Sequence, residues 1–120
     1  MGKKYWLRFL ILAWLAIGSA FGFSFGQDAS DSIAVSDLPR EARQTLDLIK
    51  VGGPFPYERD GIVFGNFEKR LPLKARGYYR EYTVKSPWRR DRGPRRIIAG
   101  RDGEYFYTDD HYKSFRRIRE

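Results

Sequence analysis

Two side chains in this sequence could exchange protons with a substrate near neutral pH. Glu81 lies within an aromatic and β-branched run, Tyr78 to Val84, where a strand is expected and a carboxylate is uncommon. His111 is the only histidine and follows two aspartates. A carboxylate can act as a general base and an imidazole as a general acid. Each also has an ordinary structural explanation, because Glu81 could pair with a cross-strand arginine and a single histidine is more often structural.

Arg92 and Arg96 lie on either side of Gly93-Pro94, where a basic loop leads into a predicted strand. Guanidinium groups bind phosphate through charge-assisted hydrogen bonds and can stabilise the added charge of a pentacoordinate intermediate. Six of the twelve residues from Lys85 to Arg96 are basic, however. A solvated basic loop that attracts any polyanion therefore explains the composition equally well.

The segment Phe64-Gly-Asn-Phe-Glu68 combines two aromatic rings, a Gly-Asn pair and a carboxylate. Such a loop can stack on a base and present backbone N–H groups to a carbonyl oxygen. It can also offer Glu68 to the N1–H and amino donors of guanine. The alternative is an ordinary turn with a surface glutamate, and the loop alone does not exclude it.

These candidate residues fall in a region that has the pattern of one helix followed by strands. Ser36 or Asp37 can cap the helix, Pro39 suits its first turn, and apolar residues recur at helical spacing up to Gly52-Gly53. The predicted strands are Gly61 to Phe64, Tyr78 to Val84, Arg95 to Ala99, Tyr105 to Thr108 and Phe115 to Ile118. We expect the α+β class, with one N-terminal amphipathic helix packed on one face of a twisted antiparallel sheet.

The first 26 residues have the layout of a secretory signal peptide: a basic start, an apolar run and small residues at its end. We expect cleavage after Gly22 or Gly26 and release to the extracellular space. An uncleaved membrane anchor is the alternative, although the apolar run is slightly shorter than the roughly 20 residues of a spanning helix. Residues 27–35 are expected to be a flexible mature N-terminus in which a short strand could form at the end, and residues 36–120 to be the domain.

Composition limits the kinds of protein that this chain can be. Its 120 residues leave room for one small domain, which excludes a two-domain enzyme with a nucleotide-binding half. The net charge is +8, of which +5 remains without the first 26 residues, so an anionic partner such as nucleic acid or a membrane surface is expected. The lack of cysteine and the single histidine exclude disulfides, thiolate nucleophiles and Cys-rich or His-rich metal sites.

An ordered series of short motifs spans nearly the whole predicted domain. The motifs are Gly53-Pro-Phe-Pro-Tyr57, Asp60-Gly-Ile-Val-Phe64, Asn66, Glu68, Leu71-Pro72, Gly77-Tyr-Tyr79, Glu81-Tyr-Thr-Val84, Arg92-Gly93, Arg95-Arg-Ile-Ile98, Tyr107-Thr108 and Asp110-His-Tyr112. In this order they resemble the bacterial guanyl-specific ribonucleases of the barnase-type superfamily, most closely the ribonuclease Sa branch. The resemblance covers roughly residues 36–118 and implies the microbial ribonuclease fold.

The resemblance also implies a mechanism without metal or cofactor. RNA would be cut after guanosine through a 2′,3′-cyclic phosphate. Glu81 matches the general base that takes the proton of the ribose 2′-OH, and His111 matches the general acid that protonates the departing 5′-oxygen. Arg92 and Arg96 match the pair that holds the phosphate, and Tyr112 matches a tyrosine that also reaches it.

The guanine site implied by the resemblance consists of four residues. Phe64 matches an aromatic residue at the base site, and Glu68 matches the carboxylate that reads guanine. The backbone of Asn66 and Phe67 occupies the positions that contact the guanine oxygen. Phe67 stands where relatives usually carry arginine, Gly65 replaces a larger polar residue, and the usual disulfide of the branch is absent.

The resemblance implies single-stranded RNA as the substrate and a monomer that has no stable membrane association after signal cleavage. It also suggests a small acidic inhibitor protein of the barstar type, which would suit a basic active-site face. The main alternative is a catalytically inactive basic RNA-binding or secreted interaction domain on the same scaffold. The presence of all five mechanistic side chains argues against that alternative. A membrane-anchored basic protein is a third possibility, and it rests only on the N-terminal segment.

Overall fold

The computed structural model describes residues 31–120. The predicted signal peptide, its cleavage points, its alternative as a membrane anchor and residues 27–30 lie outside the described residues. The elements in chain order are β1 (Ser32–Ala34), a 3-10 turn (Val35–Asp37), α1 (Arg40–Val51), β2 (Ile62–Val63), β3 (Tyr79–Thr83), β4 (Arg96–Gly100), β5 (Tyr105–Thr108) and β6 (Arg116–Arg119). None of the helices in this part of the chain is long and apolar enough to cross a membrane.

Six strands form one sheet in the order β1-β6-β5-β4-β3-β2. The four pairs from β2 to β6 are antiparallel, as expected. The β1–β6 pair is parallel, so the expectation of a wholly antiparallel sheet is wrong at this edge. The reason is that β1 precedes the helix and is joined to no neighbour by a hairpin, so no turn determines its direction.

Helix α1 begins one residue after Pro39, whose carbonyl oxygen accepts the N–H groups of Ala42 and Arg43 at 2.9 and 3.1 Å. The predicted capping by Ser36 or Asp37 is wrong, because Val35–Asp37 forms a separate 3-10 turn and no side chain caps the helix. The predicted end at the glycine pair is confirmed. Gly52 takes up a left-handed conformation (φ 84°) that costs glycine little.

Apolar side chains pack on both faces of the sheet. The cluster on the helix side consists of Ile33, Leu38, Ala42, Leu46, Val84, Ile97, Tyr107 and Ile118. The other cluster consists of Leu71, Tyr78, Tyr79, Ile98 and Phe106, with Phe64, Tyr112 and Phe115 against it. Because α1 covers only the first face, the second face is left to the loops, and the candidate catalytic residues lie there.

A buried ion pair joins the helix to the sheet. The Arg95 side chain is 6% exposed, and its Nη2 lies 3.2 Å from Oε1 of Glu41 on α1. The Trp88 ring lies against the same guanidinium at 4.8 Å. The pKa of Glu41 is held below its usual 4.5. The main cause is a hydrogen bond from the Glu41 backbone N–H, and the hydrogen bond and charge of Arg95 add to it, whereas partial burial acts in the opposite direction.

We expect Glu41→Gln to lower the free energy of unfolding at pH 7 by about 1–3 kcal/mol, because it leaves the buried guanidinium without a counter-charge. A carboxyl whose pKa is depressed in the folded state stabilises the fold above its unfolded pKa and loses that effect as pH falls through the folded value. The difference between variant and parent should therefore shrink as the pH falls below the ordinary carboxyl value of 4.5, as measured by urea titrations. Asp47→Asn, on the exposed side of the same helix, is the control; an equal loss there would contradict the role of the pair.

Candidate active site

The centre of the site is a row of three residues across neighbouring strands. Thr83 on β3 pairs with Arg96 on β4, and Arg96 pairs with Thr108 on β5. Side chains in register on adjacent strands lie on the same face of a sheet. All three are at most 2% exposed. The row therefore places one arginine between two hydroxyl groups that can hold other parts of the site.

Glu81, Tyr112 and Arg96 form one connected group on this face. The Tyr112 hydroxyl donates a hydrogen bond to Oε1 of Glu81. Arg96 Nε donates to the Tyr112 oxygen at 3.1 Å and lies 3.9 Å from the same Glu81 oxygen. Burial, and then the hydrogen bond to Glu81, raises the pKa of Tyr112 to about 12. The phenol is therefore protonated at neutral pH and acts as a donor.

The remaining nitrogens of Arg96 are divided between the backbone and the site. Its Nη1 donates to the carbonyl oxygens of Gly93 and Arg95, both at 2.8 Å. Its Nη2 donates to no group within residues 31–120. Because three bonds fix the guanidinium plane, the remaining N–H groups are held in place for an anion before it binds.

Arg92 donates hydrogen bonds to the hydroxyl of Thr83, one end of this row. Its Nε and Nη2 lie 3.2 and 2.7 Å from Oγ1 of Thr83. Because Thr83 and Arg96 are partners in the sheet register, this contact brings the two predicted phosphate-binding arginines to neighbouring positions. Thr83 was not among the residues predicted from the sequence; its spacing of two from Glu81 in a strand is the signal that places it on the same face.

His111 lies in the turn between β5 and β6 and is exposed. Its backbone is left-handed (φ 59°), as is that of Tyr112 (φ 74°), an uncommon conformation for two successive non-glycine residues. The His111 N–H donates to the Pro94 carbonyl oxygen at 3.0 Å, and its ring lies 4.8 Å from the Tyr112 ring. The imidazole is thus held beside the group that contains Arg96.

A hydrogen-bond network around Asp110 stabilises this turn. Thr108 Oγ1, the other hydroxyl of the row, donates to Asp110 Oδ1 at 2.8 Å and accepts the Tyr112 N–H at 3.2 Å. The Ser114 N–H and hydroxyl donate to the carboxylate at 3.0 and 2.6 Å. Partial burial acts to raise the pKa of Asp110, but the bonds from Ser114 and Thr108 outweigh it and lower the pKa. These positioning residues were not predicted from the sequence.

The predicted guanine residues line a cleft of about 650 Å³ that also reaches the catalytic candidates. Its lining consists of Phe64, Asn66, Phe67, Glu68, Arg70, His111, Tyr112, Lys113 and Phe115. The Phe64 ring stacks on Tyr112 at 5.3 Å and meets the Phe115 ring at 5.9 Å. The residues predicted for base binding therefore share one cleft with His111 and Tyr112 from the predicted catalytic group.

The loop that follows Phe64 is closed by the Asn66 side chain. The Asn66 amide donates to the Leu71 carbonyl at 3.0 Å and accepts the Leu71 N–H at 3.1 Å. The Phe67 side chain is exposed, and the Glu68 carboxylate accepts a hydrogen bond from Arg70 Nε at 2.9 Å. Arg70 was not predicted as part of the site. A carboxylate has about four acceptor positions, so this pair leaves room for further donors on Glu68.

The site brings together side chains that can transfer protons and side chains that carry positive charge. Within residues 31–120 no group of three or more His, Asp and Glu side chains could hold a metal ion. A buried carboxylate, an exposed imidazole and two fixed guanidiniums can support general acid–base chemistry on a phosphate ester.

The sequence pattern of the ribonuclease family matches residues 25–119, and the chain therefore belongs to the ribonuclease family. It is 57% identical over 86 residues to guanyl-specific ribonuclease St of Saccharopolyspora erythraea, which covers 72% of this chain and 85% of the relative. It is 52% identical over 92 residues to guanyl-specific ribonuclease Sa of Kitasatospora aureofaciens, which covers 76% and 96%.

Solved structures are similar to this chain as well. A structure of ribonuclease Sa2 in complex with mononucleotides superposes with a TM-score of 0.73 and 47% identity, over 74% of this chain and 93% of that chain. A structure of ribonuclease Sa2 with guanosine-2′-cyclophosphate gives a TM-score of 0.70 and 48% identity, over 73% and 94%. The expected α+β fold and the resemblance to the ribonuclease Sa branch are confirmed.

Proposed function

We propose that this protein is a secreted, guanyl-specific endoribonuclease that cleaves single-stranded RNA by transphosphorylation. The observation that carries the proposal is the contact between Tyr112 and Glu81 at the edge of the cleft that contains Glu68 and His111. It joins a proton acceptor and a phosphate-binding group to a place where a base can bind. The guanyl-specific ribonucleases St and Sa, to which the chain is similar, support this specificity.

In the first step Glu81 takes the proton of the ribose 2′-OH. Its Oε1 is occupied by Tyr112, so the other carboxylate oxygen is the acceptor for this proton. The 2′-oxygen forms a bond to phosphorus while the bond from phosphorus to the 5′-oxygen breaks. His111 gives a proton to that leaving oxygen, and the products are a 2′,3′-cyclic phosphate and a free 5′-OH.

Arg92, Arg96 and Tyr112 stabilise the charge that develops on the phosphate. Arg96 and Tyr112 are buried or half-buried and are held by hydrogen bonds before substrate binds. Donors that need no reorganisation during the reaction stabilise the transition state more than mobile surface charges do. In the slower second step His111 takes a proton from water, whose oxygen forms a bond to phosphorus. The bond from phosphorus to the 2′-oxygen breaks, Glu81 returns a proton to that oxygen, and a 3′-phosphate results.

Guanine binds against Phe64, with its N1–H and amino group donating to Glu68. Arg70 Nε donates a hydrogen bond to the Glu68 carboxylate at 2.9 Å, and this contact positions the carboxylate for the base. Adenine lacks this pair of donors, so it would not make the two hydrogen bonds to Glu68 by which guanine is recognised. Phe67 supplies an aromatic ring at the position where relatives usually carry arginine.

We expect Glu68→Ala to reduce cleavage after guanosine by about 10²-fold or more and to change cleavage after adenosine little. The substitution removes the carboxylate that accepts hydrogen bonds from the N1–H and amino group of guanine, which adenine does not make. Initial rates on GpU and ApU give the ratio. Glu58→Ala, another exposed glutamate, should leave the ratio as it is in the parent. An unchanged ratio in the Glu68 variant would exclude this residue from base recognition.

Digestion of a defined RNA in the presence of EDTA tests the proposed reaction. We expect cuts after guanosine, with a 2′,3′-cyclic phosphate on the upstream fragment that later becomes a 3′-phosphate. An inactive RNA-binding or interaction domain would bind the RNA and leave it intact. Loss of activity in EDTA would contradict the reaction described above.

Export, monomeric state and an acidic inhibitor complete the proposal. The signal-peptide pattern of residues 1–26 supports secretion, and N-terminal sequencing of the exported protein would separate cleavage after Gly22 or Gly26 from an uncleaved anchor. The arginines around the site support binding of a small acidic inhibitor protein, since complementary charge accelerates association.

A further inference from the structure

A second cleft, of about 250 Å³, lies beside the base cleft on the other side of the loop. The two clefts share Phe64, Asn66 and Phe67. Three cationic residues line the second cleft and not the first: Lys69, Lys74 and Arg76. No carboxylate is among the residues that line the second cleft. A concave surface with three positive charges and no negative one is complementary to a polyanion.

The second cleft also has apolar side chains that are exposed to solvent. The Phe67 side chain is 82% exposed and Leu73 is 69% exposed. The Phe67 ring lies directly over Gly65: a Cβ at that glycine would be 2.6 Å from the Phe67 Cζ. The glycine therefore permits this ring position, in which Phe67 lines both clefts. Exposed aromatic rings beside cations are typical of surfaces that bind single-stranded nucleic acid.

The direction of strand β3 indicates on which side of a bound guanosine the second cleft lies. Tyr79, at the beginning of the strand, lines the second cleft, and Glu81 lies two residues further on. Thr83, at the end, holds Arg92. In the proposed reaction the ribose 2′-OH meets Glu81 and the scissile 3′-phosphate lies towards the arginines. The 5′ side of the guanosine therefore points towards the Tyr79 end of the strand.

We propose that the second cleft binds the nucleotide on the 5′ side of the guanosine, an inference that rests on the proposed function. Lys69, Lys74 and Arg76 hold the phosphodiester that joins this nucleotide to the guanosine. The base of this nucleotide stacks on the Phe67 ring and packs against Leu73. Because every base has a π face, the cleft accepts any base. Lys74 lines the cleft, and its Nζ also lies 5.0 Å from the centroid of the Tyr78 ring.

The test compares uridine release from GpU and from ApGpU, which differ only in the nucleotide on the 5′ side. We expect the parent to cleave ApGpU with a kcat/KM about tenfold higher, the size of one stacked base with its phosphate contacts. In the double variant Lys74→Gln/Arg76→Gln the two substrates should become nearly equal. Both side chains are exposed, so GpU cleavage by this variant also reports that the fold is intact.

The matched control is Arg59→Gln/Arg101→Gln, which removes the same charge from exposed positions outside both clefts. This variant should retain the full preference for ApGpU. Equal rates on the two substrates in the parent, an unchanged preference in Lys74→Gln/Arg76→Gln, or an equal loss in the control would each overturn the subsite while leaving the enzyme activity in place. Failure of the parent to cleave GpU would overturn the proposed function and the subsite together.

Discussion

Glu81→Gln is expected to lower kcat on GpU by about 10²–10⁴-fold, the usual contribution of one positioned proton-transfer group. The amide keeps the shape of the side chain and an oxygen that can accept the Tyr112 hydroxyl, so the buried contacts at Glu81 are retained. What is lost is the ability to take the 2′-OH proton. His111→Asn should cost as much, and asparagine tolerates the left-handed backbone of this position.

The pH dependence of kcat/KM separates these effects from a general loss of structure. A parent with one base and one acid gives a bell-shaped profile, and each variant should lose the limb that belongs to the missing group. Glu58→Gln changes an exposed glutamate that does not line the cleft; it is the control and should retain the bell-shaped profile. Near-parent turnover in both variants would show that the proton-transfer assignment is wrong.

Arg96→Ala is expected to reduce single-turnover cleavage at saturating protein by about 10²-fold or more, because it removes donors aimed at the developing phosphate charge. Saturation isolates the bound complex, so weaker binding does not contribute. A solvated arginine would behave differently, since its removal lowers binding and leaves the rate of the bound complex unchanged. Arg90→Ala, in the exposed basic loop, provides that comparison and should cleave as fast as the parent once bound.

Arg96 is buried, so its loss could also affect the fold. Arg96→Lys keeps the charge but not the planar fork that reaches Tyr112 and two carbonyl oxygens at once, and it should still be slower than the parent. Thermal unfolding of both variants shows whether each is folded at the assay temperature. A folded Arg96→Ala variant that cuts at the parent rate would place this arginine outside the catalytic group.

Local pattern was enough to predict the elements near the site. The strand containing Glu81 was expected at Tyr78 to Val84 and is observed as Tyr79–Thr83. The helix was expected to end at Gly52-Gly53 and does so. Such features depend on neighbouring residues: aromatic and β-branched side chains favour extended backbone, and glycine accepts the left-handed turn that ends a helix.

Contacts between distant parts of the chain were not predictable in the same way. The parallel pairing of β1 with β6 joins the two ends of the described chain, and no local turn determines it. The row formed by Thr83, Arg96 and Thr108 depends on the register of three strands. A shift of one residue would turn these side chains to the opposite face, and the residue types alone do not decide that register.

The residue types alone specify the chemistry available to this protein: one imidazole, no thiol, an excess of guanidiniums, and a carboxylate within a strand-forming run. Side-chain type dictates which groups can exchange protons or bind phosphate, wherever they lie. The hydrogen bond from Tyr112 to Glu81 and the second cleft behind Phe67 become visible only in the folded chain. Both features depend on distances and directions between segments that are far apart in the chain, and strand register and packing across the sheet set these.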